Sequence, residues 1–183
     1  CLKAGTSVLG ICGGYQMPGR ETRDPSGVES KIQIMEGLKF LPVTTVFSRR
    51  KTTVRVRALH AQSRLPVEGY EIHMGTTQHH DKMSPFLKIV ERDGKPVSTA
   101  DGAVKTTQKH GAQVFGTYVH GLFDQPGFRR YFLNHIRSLS GLPEMASGTH
   151  QAGQECPYDR LADEFERNVD LNVINEMLGE KIL

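Results

Sequence analysis

Cys12 ends an apolar run and is followed at once by Gly13 and Gly14, in the segment SVLGICGGYQ at residues 7–16. A strand that stops at this cysteine and turns into a helix would hold the thiol at the helix N-terminus, where partial positive charge favours the thiolate. The glycines would let the backbone turn tightly and let a ligand approach the amides. The pattern is the cysteine counterpart of the serine nucleophile elbow. The alternative is a structural cysteine buried on a core strand, the commoner environment of this residue.

His120 ends a second strand-like segment, GTYVHGLFD at residues 116–124. Strand ends are where α/β proteins build their active sites. A cysteine nucleophile needs a base to hold it as thiolate and an acid to protonate the leaving group, and one imidazole can do both. We therefore predict a catalytic pair of Cys12 and His120, with a purely structural histidine as the alternative.

The composition excludes several classes of protein. The chain has 183 residues, 37% hydrophobic and 23% charged, as expected for one globular domain or a large piece of one. The net charge of +3 is spread along the chain, without the basic tract of a nucleic-acid-binding protein. No apolar stretch approaches the roughly 18 residues of a membrane span. Cys1, Cys12 and Cys156 have neither metal-site nor disulfide spacing, so we expect no metal and a reducing, cytoplasmic setting.

Hydrophobic periodicity predicts alternating strands and helices that would position the two candidate residues. The predicted strands cover residues 6–12, 38–43, 52–57, 67–74, 87–90 and 113–119. The predicted loops, turns and linker cover residues 19–36, 79–85, 91–96 and 144–157. Helices are expected directly after Gly14, from Pro126 to about residue 140, and from about Tyr158. The last helix carries an apolar stripe that we predict to pack in the core, formed by Leu161, Phe165, Val169, Val173 and Met177.

Residues 10–16 resemble the nucleophile motif of class I glutamine amidotransferases, glycine-x-cysteine-x-glycine-x-glutamine, at every specified position. The segments at residues 70–75, YEIHMG, and 116–124 are similar to those of the cobyric acid synthase family, as are residues 37–47 and the last helix. The resemblance implies an α/β fold, with a flavodoxin-like mixed sheet flanked by helices. Because the nucleophile strand begins after only five residues, we expect the first strands of that fold to be missing, and residues 1–183 to be an N-terminally truncated amidotransferase domain.

The family resemblance also implies residue roles. Cys12 would attack the side-chain amide of glutamine, His120 would transfer the protons, and the Gly13 amide would stabilise the oxyanion. The remaining residues that match the family's glutamine pocket are Gln16, His73, Met74 and Gly75. Glu71 and His73 share one face of their strand and could equally be an ordinary polar pair.

The implied partner is an ATP-dependent, corrinoid-binding synthetase domain of the same parent protein. In this family, ammonia from glutamine amidates corrinoid carboxylates during cobalamin biosynthesis. ATP and Mg²⁺ would belong to that domain, because this chain carries no glycine-x-x-x-x-glycine-lysine-serine/threonine motif. We therefore expect no cofactor in the present domain, and neither a nucleic acid nor a membrane as partner.

Leu122 is a departure from most class I enzymes, which carry a glutamate two residues after the histidine to orient it. The cobyric acid synthase family lacks this acid, so another group must orient His120, with Asp124 and Glu71 as candidates. Two further functions stay open. One is a related amidotransferase for another carboxylate, such as cobyrinic acid or a cell-wall precursor. The other is an inactive truncated chain or a binding module.

Overall fold

The computed structural model describes residues 5–107, 111–146, 157–170 and 173. The chain divides into two compact units, which meet in sequence between Met145 and Ala146. The strands of the first unit are β1 Val8–Ile11, β2 Glu21–Arg23, β3 Ile34–Glu36, β4 Val43–His60, β5 Pro66–His79, β6 Leu87–Arg92, β7 Lys95–Asp101, β8 Ala103–Thr106, β9 Gln113–Thr117 and β10 Val119–His120. Its helices are α1 Gly13–Gln16 and α2 Pro126–Leu139, and the second unit contains α3 Pro157–Asn168.

A three-stranded sheet holds the nucleophile strand in the order β1-β9-β8. Strand β1 pairs parallel with β9, from Val8 opposite Val114 to Ile11 opposite Thr117, whereas β8 pairs antiparallel with β9. Parallel pairing brings the carboxyl ends of β1 and β9 to the same edge of the sheet. The residues that follow Ile11 and Thr117 are therefore neighbours, and the predicted mixed α/β fold is confirmed.

A second, seven-stranded sheet is built on the long hairpin of β4 and β5. Its order is β10-β5-β4-β2-β3, with β6 pairing to β4 and β7 to β6. The β4–β5 pairing is antiparallel, and its register shifts at an irregularity between Val46 and Lys51. This sheet is mixed as well, because β2 pairs parallel with β4.

Several predicted boundaries in this sheet are wrong. Residues 38–42 form no strand, because the N–H groups of Leu38, Lys39 and Leu41 donate to carbonyls of residues 17–19. The predicted loop at 19–36 contains β2 and β3, both only three residues long. The turn predicted at 91–96 is confirmed as a tight turn at Asp93 and Gly94, both with positive φ, but strands β7 and β8 after it were not predicted.

The strand predicted to run continuously from residue 113 to 119 is wrong in one decisive place. Strand β9 ends at Thr117, and the chain starts again as β10 at Val119. Strand β10 leaves the small sheet and pairs antiparallel with β5 of the larger one, with Val119 opposite Glu71 and His120 opposite Tyr70. The break at Tyr118 thus passes the chain from one sheet to the other.

Helix α2 confirms the prediction that Pro126 opens a helix, with proline in the first turn, where its missing N–H costs nothing. Phe128 and Phe132 are buried, and they pack with Phe86, Phe115 and neighbouring apolar side chains of both sheets. This cluster forms the larger of the two cores in the first unit. It fixes the region after His120 against the sheets.

Helix α3 shows that the predicted core packing of its apolar stripe is wrong for three of its members. Leu161 is 66% exposed, Phe165 50% and Val173 51%, whereas Val169 is half-buried. Periodicity identifies an amphipathic helix, but it does not determine whether a partner surface covers the apolar face. Met177 and linker residues 147–156 lie outside the described residues. In the described part of the chain, no helix has both the length and the apolar character to cross a membrane.

Candidate active site

Cys12 occupies a strained turn between β1 and α1. Its φ of 55° and ψ of −117° are unusual for a residue with a side chain. The turn is tight, because a Cβ on Gly10 would lie 2.0 Å from the Gly14 oxygen. A Cβ on Gly13 or Gly14 would meet nothing within 4 Å, so the space over the first turn is open. The elbow geometry predicted from the sequence is therefore present.

The Cys12 thiol points at strand β5. Its Sγ donates to the Ile72 carbonyl oxygen at 3.3 Å, and its backbone N–H donates to the Thr117 oxygen at 2.9 Å. The residue is therefore fixed to β9 through its backbone and to β5 through its side chain. The Gly13 N–H has no hydrogen-bond partner among the described residues. It remains available to an incoming oxygen atom.

His120 meets the same strand through a backbone pairing. As a member of β10 it pairs directly with Tyr70, two residues before the Ile72 carbonyl that accepts the Cys12 thiol. Two residues of a strand span about 6.5 Å, so both candidate catalytic residues meet one short stretch of β5. Among the described residues, the buried His120 Nε2 has no hydrogen-bond partner.

A hydrogen-bond network around Thr117 and Asp101 connects the end of β9 to the start of β10. The Thr117 hydroxyl donates to Asp101 Oδ2 and accepts the Val119 N–H at 3.1 Å. The Tyr118 N–H donates to Asp101 Oδ1 at 3.2 Å. Burial raises the pKa of Asp101 to about 6, although both hydrogen bonds oppose the rise. Because the Thr117 oxygen also accepts the Cys12 N–H, this hydrogen-bond network connects the nucleophile turn to the strand that carries His120.

Tyr118 gathers the predicted substrate-binding residues Gln16 and His73. Gln16 Nε2 donates to the Tyr118 hydroxyl at 3.5 Å, and that hydroxyl shares a 2.6 Å hydrogen bond with Thr77. The His73 ring stacks on the Tyr118 ring with centroids 4.0 Å apart. His73 Nδ1 also donates to the Gly75 oxygen at 3.2 Å. Three of the four predicted pocket residues are therefore connected through Tyr118 and His73.

Met74 is the predicted pocket residue that the structure separates from the others. It lies on the opposite face of β5 from His73, because successive side chains of a strand alternate, and it pairs with Lys51 on β4. Gly75 has a φ of 108°, and a Cβ there would lie 2.6 Å from the Val46 oxygen. The close approach of β4 therefore explains why this position is a glycine.

Glu71 is buried, forms an ion pair with the partly exposed Arg92, and does not face His120. Arg92 donates from Nε to Oε2 at 2.8 Å and from Nη2 to Oε1 at 3.2 Å, and His73 Nε2 lies 3.9 Å from Oε1. Burial alone would raise the pKa of Glu71, but the nearby His73 and the hydrogen bonds and charge of Arg92 outweigh it, so the pKa is lowered. Since Glu71 follows Tyr70 on the strand, its side chain projects from the face of β5 opposite to Tyr70 and His120.

Two clefts flank these residues. The first, of about 410 Å³, is polar and is bordered by the Glu71–Arg92 pair, His73, Asp101 and Tyr118. The second, of about 360 Å³, is bordered by Gly13 and Gln16 together with exposed apolar side chains. Those apolar residues are Met17, Ile32, Met35 and Leu38.

Sequence reasoning missed Tyr70, Arg92, Asp101, Thr117 and Tyr118. Tyr70, Thr117 and Tyr118 stand inside the two segments that carried the family resemblance, so their position was a usable signal. Both residues end strands, but Arg92 lies in the predicted turn at 91–96, and no element was predicted around Asp101. Nothing in their local sequence indicated that they face the site.

The mixed sheets and the cysteine elbow define the class of protein, an α/β domain of the class I glutamine amidotransferase type. Residues 1–128 match the family described as the CobB/CobQ-like glutamine amidotransferase domain, and the chain belongs to this family. The class predicted from residues 10–16 is thereby confirmed.

Curated relatives narrow the branch. The chain is 38% identical over 172 residues to a cobyric acid synthase of Clostridium acetobutylicum, covering 94% of this chain and 33% of the relative. It is 39% identical over 180 residues to that of Limosilactobacillus reuteri, covering 97% and 35%. It is 39% identical over 183 residues to that of Streptococcus sanguinis, covering 99% and 36%. The chain thus spans about a third of the length of these relatives, and the predicted resemblance to cobyric acid synthases is confirmed.

Proposed function

We propose that this chain is the glutamine-hydrolysing domain of a cobyric acid synthase, with Cys12 as nucleophile and His120 as general base and acid. The observation that carries the proposal is the convergence of both residues on Tyr70–Ile72 of β5, with Cys12 in a strained turn. Strain at a side-chain-bearing residue persists only where the surrounding structure enforces it, and such residues cluster at active sites.

The proposed chemistry uses groups that this chain supplies. The Cys12 thiol breaks its hydrogen bond to the Ile72 carbonyl and transfers its proton to His120. The thiolate then attacks the side-chain carbonyl carbon of glutamine. The free Gly13 N–H donates to the oxygen that becomes negatively charged. His120 returns the proton to the departing ammonia, leaving a γ-glutamyl thioester on Sγ. His120 then takes a proton from water as the water attacks the thioester, glutamate leaves, and His120 returns that proton to the Cys12 thiolate, which restores the thiol.

The proposed glutamine pocket lies around Tyr118. Gln16 and His73 both contact this ring system, and the adjoining cleft carries the Glu71–Arg92 ion pair and further polar groups. A zwitterionic amino acid needs such a mixture of donors and acceptors. Because Gln16 follows Cys12 by one helical turn, a substrate held at Gln16 would lie beside the thiol. Met74 is not needed in this arrangement.

The wider role that we propose is ammonia supply for ATP-dependent amidation of corrinoid carboxylates in cobalamin biosynthesis. The support is the similarity to cobyric acid synthases, about two thirds of whose length this chain does not span. ATP and Mg²⁺ would act in that remaining region, the proposed synthetase partner. Exposed Met17, Ile32, Met35 and Leu38 beside Gly13 and Gln16 form an apolar surface of the kind that marks protein interfaces.

Glutamate release from L-glutamine tests the proposed reaction. We expect release by the native chain and none above background by Cys12→Ala, whereas Cys156→Ala, a matched loss of one thiol, should keep native activity. His120→Asn should lower the rate by about 100-fold or more, as expected for loss of a general base. Mass spectrometry after acid quenching should find the γ-glutamyl group on Cys12. A folded native chain no more active than Cys12→Ala would refute the proposal and leave the inactive-fragment alternative.

A further inference from the structure

His120 lacks the carboxylate that holds the ring of most class I enzymes. The corresponding position is Leu122, which is 1% exposed and belongs to the apolar core. Glu71 leaves the opposite face of β5 and is bound to Arg92. Asp124 lies close to the Gly121 backbone, and no hydrogen bond joins it to His120 among the described residues. Neither acid expected from the sequence therefore orients the imidazole.

Tyr70 contacts the imidazole directly. The two rings are parallel to within 3°, with centroids 4.9 Å apart, and the two residues form a cross-strand pair between β10 and β5. Rings on a directly paired position lie on the same face of the sheet, so backbone register enforces the stack. Gly69 allows this register, because a Cβ there would lie 1.9 Å from the His120 oxygen.

From this geometry we infer that Tyr70 is a positioning residue, which holds the His120 ring by stacking in place of the absent carboxylate. The stack covers a face of the imidazole and leaves the two nitrogens at its edge uncovered by Tyr70. The buried Nε2 has no hydrogen-bond partner among the described residues. Rotation of the ring about its Cβ–Cγ bond would cost the contact with Tyr70. The inference rests on the proposed function, because it assigns the purpose of the stack to proton transfer by His120.

The role belongs to the ring of Tyr70 and not to its hydroxyl. Tyr70 is 46% exposed, which is unusual for a side chain whose purpose is core packing. Aromatic pairs contribute roughly 0.5–1.5 kcal/mol beyond area burial, so loss of the stack should lower kcat by about 3- to 10-fold. KM should change little, because the pocket residues Gln16 and His73 contact Tyr118 and not Tyr70.

Tyr70→Phe, Tyr70→Leu and the matched control Tyr158→Leu, another exposed tyrosine, test the inference. Glutaminase kinetics should give native kcat for Tyr70→Phe and Tyr158→Leu, with a 3- to 10-fold lower kcat and native KM for Tyr70→Leu. Proton NMR of the His120 ring should show the upfield ring-current shift in the native chain and in Tyr70→Phe, and its loss in Tyr70→Leu. Native kcat in Tyr70→Leu, or an equal loss in Tyr70→Phe, overturns the positioning role.

The NMR measurement separates this inference from the proposed function. If the native chain and Cys12→Ala are equally inert, the proposed function fails whatever the Tyr70 variants show. If the native chain is active but the His120 ring signals of Tyr70→Leu match the native ones, the stacking inference alone fails. A cooperative unfolding transition in each variant shows that the compared proteins are folded.

Discussion

Replacement of Asp101 by asparagine should change the pH dependence of stability in a direction that the structure determines. Asp101 is 6% exposed and accepts hydrogen bonds from the Thr117 hydroxyl and the Tyr118 N–H. Burial raises its pKa from 3.8 to about 6. Because asparagine has nearly the same shape but no charge, the variant resembles the protonated residue over the whole pH range.

The magnitude follows from the raised pKa. Below pH 3.8 the carboxyl is protonated in both the folded and the unfolded chain, and it contributes no pH dependence. Between pH 3.8 and about 6 the unfolded chain releases its proton first, so the native protein loses stability as pH rises. Each pKa unit corresponds to about 1.4 kcal/mol, which gives a loss of about 3 kcal/mol in total.

The comparison must be made as a difference between variant and native protein, because His60 titrates in the same window with the opposite sign. Burial and the nearby His135 lower the pKa of His60 to about 4 from 6.5, so its contribution to stability is lost as pH falls between these values. Both proteins contain His60, and subtraction removes its contribution. The free-energy difference, Asp101→Asn minus native, should therefore rise by about 3 kcal/mol from pH 3.5 to pH 7.

Urea unfolding at several pH values provides the assay, followed by near-UV circular dichroism of the tyrosines. Four of the five tyrosines lie in the first unit, so the signal reports mainly on it. Asp81→Asn is the matched control, because the Asp81 side chain is 64% exposed and its ion pair with Arg20, at 3.9 Å, is on the surface. Its free-energy difference should stay flat within about 0.5 kcal/mol. A flat difference for Asp101→Asn, or one that falls with pH, would refute the argument.

Two further substitutions test the packing and charge arguments by urea unfolding at neutral pH. Gly116→Ala should lower the free energy of unfolding by about 1–3 kcal/mol, because the added Cβ would lie 2.0 Å from the Tyr15 ring. Gly127→Ala is the control, because its Cβ enters open space and should not destabilise the protein. Equal effects of the two substitutions would contradict the packing argument. Arg92→Leu should cost about 3 kcal/mol because Glu71 is left buried and unpaired, and the double variant with Glu71→Gln should recover part of that loss. No recovery in the double variant would show that the charge of Glu71 is not the cause.

The sequence identified the elements whose signals are local. The apolar run before Cys12, the glycines after it and Pro126 at the start of α2 each predicted their element because the determining interactions lie within a few residues. Strands β2 and β3 contain three residues each, too few for a periodic pattern to emerge. Strand β7 was missed because six of its seven residues are exposed or half-buried, so no apolar alternation marks it.

The candidate site residues could be selected from the sequence, but the contacts between them could not. Cys12, His120, Gln16 and His73 could be selected because reactive side chains stood beside glycines or matched a family motif. Their partners could not, because a contact such as Gln16 with Tyr118 spans 102 residues of the chain. The orientation of Met74 was inherent in the alternation of β5, and the alternation already separated it from His73.

The same interaction explains why the strand prediction failed at Tyr118 and how the site is assembled. In a continuous strand the N–H groups of residues 118 and 119 would pair with neighbouring strands, but here they donate to Asp101 and to the Thr117 hydroxyl. Those side-chain acceptors compete with the sheet ladder and end β9. Because the chain is released there, β10 can pair with β5 and bring His120 to the strand that binds the Cys12 thiol. The buried carboxylate of Asp101, costly in the core, is thus the group that separates the two sheets where the candidate catalytic residues converge.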